Sequence, residues 1–169
     1  MGREFFAVDD RALAMGLTGA EWPGRMQKLR SGPLVDLLPA DSVTSMQGGW
    51  ELWLDGGHNA AAAAALADVV EDYFGSPVDL VVGMLRTRDP ALFLEPLAPF
   101  VANARTVEVP GEESTLTAIE LAVAAQRAGI DAQPANSVRD AVRSLADRPG
   151  GRILICGSLY LAGSVLAGN

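Results

Sequence analysis

The densest run of reactive residue types in this sequence is Asp55-Gly56-Gly57-His58-Asn59. A carboxylate, two glycines and the chain's single histidine directly follow the apolar run Leu52-Trp53-Leu54. A carboxylate at the end of a buried strand is costly unless it is paired. Asp55 therefore accepts hydrogen bonds from a ribose, holds a cation, or caps its own turn in the Asx manner. Gly56 and Gly57 let backbone approach a ligand closely or turn through positive φ, and the two uses coexist. His58 can donate, accept or carry charge near neutral pH. Its position alone leaves a structural and a chemical part equally open.

Two more sets of polar residues follow apolar runs in the same way. Arg86, Thr87, Arg88 and Asp89 follow Val78–Val82 and the Gly83-Met84-Leu85 step, and Gly157, Ser158 and Tyr160 follow Ile153-Leu154-Ile155-Cys156. Arg86 and Arg88 stand ahead of Pro90, a good first residue for a helix, where a carboxylate or phosphate can bind. Arg86 reads better as a solvated loop charge. Ser158 can cap the last helix, and its hydroxyl and the nearby amides can hold a carboxylate. Arg25, in the Trp22-Pro23-Gly24-Arg25 turn, reads on sequence physics as a surface charge, and Trp22, Trp50 and Trp53 as packing residues. The sequence carries no P-loop motif, no G-x-G-x-x-G after a strand and no G-x-S-x-G elbow. With one histidine and one cysteine a zinc site has too few ligands.

Positioning these residues takes alternating strands and helices. Strands are predicted over residues 51–55, 78–84, 105–109 and 152–157, with short extended pieces at 34–38 and 131–134 and a loop from there to residue 50 after the first. Helices are predicted over 8–16, 59–74, 90–101, 115–128, 138–146 and 159–167. Asn59 and Ser137 suit N-caps, and Gly16, Gly75 and Gly129 suit stops. Pro96 and Pro99 must kink or shorten the helix begun at Pro90. Continuously apolar strands are buried on both faces. The predicted fold is α/β: a three-layer, Rossmann-like, mostly parallel sheet with helices on both faces, in one domain. In such sheets ligands bind beyond the carboxyl ends of the strands, which puts 55–59, 86–89 and 157–160 on one edge.

Composition narrows the partners. A chain of 169 residues, 49% hydrophobic, supports one core. A formal charge of −8 argues against nucleic acid and anionic membranes as partners. Cys156 sits in an apolar run, so no internal disulfide is expected and a reducing cytoplasm fits. No stretch is long and apolar enough to be expected to span a bilayer.

Four motifs occur in order: Trp22-Pro23-Gly24-Arg25-Met26-Gln27, Leu54-Asp55-Gly56-Gly57-His58-Asn59, Val82-Gly83-Met84-Leu85 and Gly157-Ser158-Leu159-Tyr160-Leu161-Ala162-Gly163. With them the chain resembles, from residue 8 to its end, the C-terminal domain of the folylpolyglutamate synthase/dihydrofolate synthase family of the Mur ligase superfamily. The resemblance implies an ATP-dependent ligase that joins L-glutamate to dihydropteroate or folates through an acyl phosphate. It implies a larger N-terminal domain, not contained in these 169 residues, that carries the P-loop and most of the ATP and Mg contacts. Without that partner domain the chain is expected to be inactive. A cytoplasmic monomer is expected, with no metal ligands of its own.

Site roles carry over by motif. Arg25 matches the family's nucleotide-reaching Arg. Asp55 matches the Asp that contacts ATP at the ribose. His58 matches a His at the glutamate or reacting end and is the expected catalytic residue. Ser158 matches a Ser that holds the incoming amino acid's carboxylate. Arg88 stands where the family has Lys, a planar fork in place of a point charge, and is expected on the glutamate side. Gly57 replaces the common Ala, Ala60 the common Pro, and Thr87 a usual Asp. Two alternatives stay open: a Mur-type cell-wall ligase domain, and a ligand-binding module without catalysis.

Overall fold

The structure is a computed structural model and describes residues 9, 11, 22–39, 49–147 and 150–169. The helix predicted over 8–16 lies outside the described residues apart from positions 9 and 11. So does most of the loop that follows residue 39.

Among the described residues six strands form one sheet: β1 (Gln27–Leu29), β2 (Trp50–Leu54), β3 (Val78–Val82), β4 (Val101–Thr106), β5 (Ala132–Pro134) and β6 (Gly151–Cys156). Their order is β1-β2-β6-β3-β4-β5, and every pairing is parallel except β1 with β2. The helices are α1 (Ala60–Asp68), α2 (Pro90–Leu94), α3 (Ala118–Arg127), α4 (Val138–Leu145) and α5 (Leu159–Gly168). All five residues of β3 are buried, the signature of a strand covered on both faces. Leu80, Val82, Leu154 and Cys156 pack on one face against Leu66, Val70, Phe93 and Leu121 from α1, its π-helical continuation, α2 and α3. Val81, Ile153 and Ile155 pack on the other against Val142, Leu145, Leu161 and Val165 from α4 and α5. The three-layer, mostly parallel architecture is the one the sequence predicts.

The caps are where the residue types place them. Asn59 accepts from the Ala62 amide (2.9 Å), Ser137 from Asp140 (3.0 Å), and Thr117 and Glu120 close a reciprocal capping box on α3. Gly75 ends the first helix in a left-handed conformation, φ 61°.

Three expectations are corrected. Residues 34–38 are not extended. They hold a 3-10 turn, Val35–Leu37, with Asp36 N donating to Gly32 O at 3.0 Å. Leu34, Val35 and Leu38 are buried together on the α4–α5 face, a one-sided spacing that a turn delivers and a strand does not. The strand predicted over 105–109 lies at Val101–Thr106. Pro96 and Pro99 convert α2 into a 3-10 segment, Glu95–Phe100, so the chain enters the sheet early, and the pairing ends where β3 does, at Val82 with Thr106. Finally, Gln27–Leu29 is a strand that the pattern did not reveal, because three residues at an edge show no period. Its Lys28 pairs with Glu51 of β2, which also accepts from Arg152 Nε of β6 at 2.6 Å, so one carboxylate ties three strands.

Candidate functional site

After β2 and β3 the chain passes to the α1–α2 face, and after β6 it passes to α5 on the opposite face. The carboxyl end of β6 is thus flanked by crevices, the position at which open α/β sheets bind ligands. The three turns after β2, β3 and β6 meet there, and the turn ahead of β1 joins them, all laced by backbone bonds. Gly56 N donates to Gly24 O at 2.7 Å, Gly157 N to Gly57 O at 2.9 Å, and Gly83 N to Cys156 O at 3.2 Å. Such close approach explains the glycines. A Cβ on Gly56 would lie 2.4 Å from Leu159 Cδ2 and 2.7 Å from Arg25 Nη1, and one on Gly157 would lie 2.7 Å from the Gly83 carbonyl.

Asp55 is buried, and both oxygens are engaged. Oδ1 accepts from Gly57 N at 2.6 Å and Oδ2 from Met26 N at 2.8 Å. The first bond is the Asx turn expected from sequence. The second, across 29 residues of chain, fastens the 22–26 turn to the end of β2. That turn presents Arg25 beside Gly56, although sequence physics alone made Arg25 a surface charge. Arg25 is exposed and has no ion pair among the described residues. Trp22 in the same turn is 72% exposed, against the expectation that it packs, because backbone bonds and Asp55 hold the turn without it. Trp50 is buried and Trp53 packs against Phe74.

His58 Nδ1 lies 2.9 Å from Gly56 O. A carbonyl oxygen only accepts, so Nδ1 carries the proton and the neutral ring keeps its lone pair on Nε2. Ser158 is buried as the N-cap of α5, its Oγ accepting from Tyr160 N at 3.1 Å and Leu161 N at 3.5 Å. Its hydroxyl proton remains to be donated. Arg88 is exposed without an ion pair among the described residues, while Asp89 caps α2 through Ala91 N at 2.9 Å. Arg86 is not a free cation. It binds both Glu120 oxygens, at 2.9 and 2.7 Å, and helps hold that carboxyl down at about 2. Arg86 therefore belongs to a surface ion pair. Burial, with a further contribution from the Asp55 carboxylate, pushes the Cys156 thiol well above its usual range. Cys156 is an inert part of the core, as its apolar run implies.

Two cavities open at this edge. One, about 300 Å³, lies between Arg25, Met26, Asp55 and His58 and the stripe Ala62, Leu66 and Val69 on α1 and the start of its π-helical continuation. The other, about 390 Å³, lies between His58, Thr87, Arg88, Ser158 and Tyr160. His58 lines both. Sequence reasoning missed Met26 and this stripe as cavity walls. Their signal was present as apolar residues at helical spacing, which it read only as packing against the sheet. Among the described residues no group of three or more His, Cys, Asp or Glu is placed to hold a metal ion. No helix among the described residues is long and apolar enough to cross a membrane.

Residues 40–168 match the family of dihydrofolate synthetase C-terminal domains. The folylpolyglutamate synthase of Lacticaseibacillus casei is 27% identical over 158 residues, covering 90% of this chain and 31% of the relative. The folylpolyglutamate synthase of Mycobacterium tuberculosis, solved with ADP and AMPPCP, superposes with a TM-score of 0.77 at 27% identity, over 98% of this chain and 36% of that one. A bifunctional folylpolyglutamate synthase/dihydrofolate synthase of Yersinia pestis, solved with AMPPNP and Mn, superposes with a TM-score of 0.69 at 27% identity, over 94% of this chain and 34% of that one. The chain thus spans about a third of the length of these relatives.

Proposed function

The chain belongs to the family of dihydrofolate synthetase C-terminal domains, and on that premise we propose that it supplies half of the active site of an ATP-dependent ligase joining L-glutamate to dihydropteroate or a folate. The observation that carries this reading is the placement of His58 between two cavities, each with a guanidinium that has no ion pair among the described residues, Arg25 on one and Arg88 on the other. A ligase that activates a carboxylate with ATP and then delivers an amine needs two anion sites and a reacting centre between them. Arg25 and Asp55 stand on the nucleotide side. Arg88 and the Ser158 hydroxyl stand on the glutamate side, where a carboxylate gains charge-assisted bonds.

In this reading a substrate carboxylate oxygen attacks the γ-phosphorus of ATP, ADP leaves, and an acyl phosphate forms. The glutamate amine attacks the acyl carbon, phosphate leaves, and the amine gives up a proton. In the neutral ring, with Nδ1–H donated to Gly56 O, His58 Nε2 carries the lone pair that accepts that proton. Magnesium and most phosphate contacts fall in this reading to a P-loop partner domain, as the family resemblance implies, and the sequence carries no P-loop motif of its own. Closure of the two domains would shield the acyl phosphate from water.

The test is ATP-dependent incorporation of labelled glutamate into dihydropteroate and tetrahydrofolate, by this chain alone and by the same chain joined to its P-loop domain. Incorporation by the joined protein only is expected, reduced on the order of 10²–10⁴-fold in H58A. Turnover by the chain alone, or use of a different amino acid in place of glutamate, refutes the proposal.

A further inference from the structure

The cavity that brings His58, Arg88 and Ser158 together has one acidic wall residue, Glu112. It belongs to none of the four motifs. It sits in the loop after β4, half-buried, and its carboxylate has no ion pair or hydrogen bond among the described residues. A larger cavity, about 740 Å³, opens on the other side of that loop against α4 and α5. Glu108 and Glu113 are exposed and line only the larger of the two, whereas Glu112 lines both.

Backbone bonds fix the loop. Glu112 N donates to Val109 O at 3.3 Å, Thr115 N to Glu112 O at 3.2 Å, and Val109 N to Thr115 Oγ1 at 2.8 Å. Arg86 N donates to Ser114 O at 2.8 Å and Leu116 N to Met84 O at 2.9 Å, which fastens the loop to the segment that carries Arg88. A cation and an anion therefore line one cavity on two segments bonded to each other, and they do not pair. Opposite charges held apart in one cavity suit a ligand that carries both. An α-amino acid at neutral pH is such a ligand. Against a substrate with two carboxylates an acidic wall residue only repels, unless it meets that substrate's one cationic group.

We propose that Glu112 receives the ammonium group of the incoming amino acid while Arg88 and the Ser158 hydroxyl hold a carboxylate, so that the cavity selects an amino acid over a plain dicarboxylate. The proposal rests on the reading of this cavity as the glutamate side and adds to it the residue that recognises the amine. Carboxylate oxygens only accept and an ammonium only donates, so their contact is charge-assisted in both partners. A site built around such a donor rejects the analogue that lacks it.

The experiment uses the protein joined to its P-loop domain and compares glutamate with glutarate, the same dicarboxylate without the amine. KM for glutamate and the inhibition constant of glutarate are measured for wild type, E112Q, E112D, E113Q and R88M. E112Q keeps the size of the side chain, removes its charge and breaks no hydrogen bond seen among the described residues, so its thermal midpoint should match wild type. E112Q is expected to raise KM for glutamate about 10- to 100-fold, the scale of one charge-assisted bond, with KM for ATP unchanged. Glutarate should bind E112Q as well as wild type or more tightly. E112D should recover part of the glutamate affinity, E113Q should match wild type, and R88M should weaken both ligands.

Equal weakening of glutamate and glutarate by E112Q would assign Glu112 a structural part, and equal tightening a purely repulsive one. The same loss in E113Q would make the effect a field of the whole loop. Each of these results overturns the proposal, as does no change in E112Q or in R88M. If the joined protein takes a different amino acid, the glutamate reading fails, and the same comparison between that amino acid and its deaminated form decides Glu112 separately.

Discussion

Replacing Gly157 with Ala tests whether the meeting of the three turns is as tight as the distances state. Gly157 has φ 103°, a region costing an L residue about 1–3 kcal/mol. Its new methyl would also lie 2.7 Å from Gly83 O, 2.9 Å from Val82 Cγ2 and 3.1 Å from Met84 Cγ. The nearest of these is a backbone carbonyl between two buried segments, which cannot rotate aside, and such overpacking costs about 1–3 kcal/mol. Taking about 2 kcal/mol from each source gives roughly 4 kcal/mol. At about 2–4 °C per kcal/mol for a domain of this size, G157A should melt ~8–16 °C below wild type. Gly163, exposed inside α5 with nothing within 4 Å of the place a methyl would take, is the internal control. G163A should gain about 0.5–1 kcal/mol from helix propensity and melt slightly higher. Thermal unfolding followed by far-ultraviolet circular dichroism reads both. A G157A midpoint within about 3 °C of wild type (an order-of-magnitude margin from the same scaling), or a shift in the same direction for both variants, would refute the reasoning.

Three further outcomes follow from the charges. Glu120 should titrate at about 2 against an ordinary 4.5, held down by Arg86 and then by Thr117. Its depressed value means that its contribution is complete above the ordinary value and is lost as pH falls toward 2. A carbon-detected NMR titration should show the value rising in R86M, and an unchanged value there would discard the assignment. Burial raises the Glu51 carboxyl, but its bonds to Lys28 and Arg152 outweigh that and lower it overall. E51A should therefore cost about 1–2 kcal/mol in urea unfolding, by leaving two cations unpaired, and a neutral result contradicts its role across three strands. Cys156, fully buried with a raised thiol, should resist a disulfide reagent at about pH 8 (mildly alkaline, near the ordinary thiol range) and react at once in denaturant; rapid labelling of the folded chain would contradict this burial.

Most of the sheet was legible because its central strands are apolar on both faces and its helices begin at Asn59, Pro90, Ser137 and Ser158, residues that cap or start helices for local reasons. Those signals are short-range, so sequence carries them. What failed depended on partners far along the chain. Residues 34–38 look extended until their burial against α4 and α5 is known. The true limits of β4 are set by the end of β3. Within the site, Asp55, His58 and Ser158 were readable from their places at strand ends. The dual hold of Asp55 was not, since Met26 N is 29 positions away. Arg86 was read as a solvated loop charge, but its partner was not legible, since Glu120 lies 34 positions on.

Arg25 shows most directly how topology creates a site. The turn at 22–26 precedes β1, while Asp55 follows β2. In a parallel pair those two positions would fall at opposite ends of the strands, separated by about 17 Å for five residues. Here β1 is the one antiparallel strand, and its register sets Gln27 opposite Leu54. The residues just before β1 therefore stand beside those just after β2. Gly56 N then reaches Gly24 O, and Asp55 Oδ2 reaches Met26 N. A three-residue edge strand, too short to leave a pattern, brings a guanidinium to the carboxyl edge of a sheet whose other members are parallel. The antiparallel pairing of β1 is thus as much a part of the candidate site as the side chains that line it.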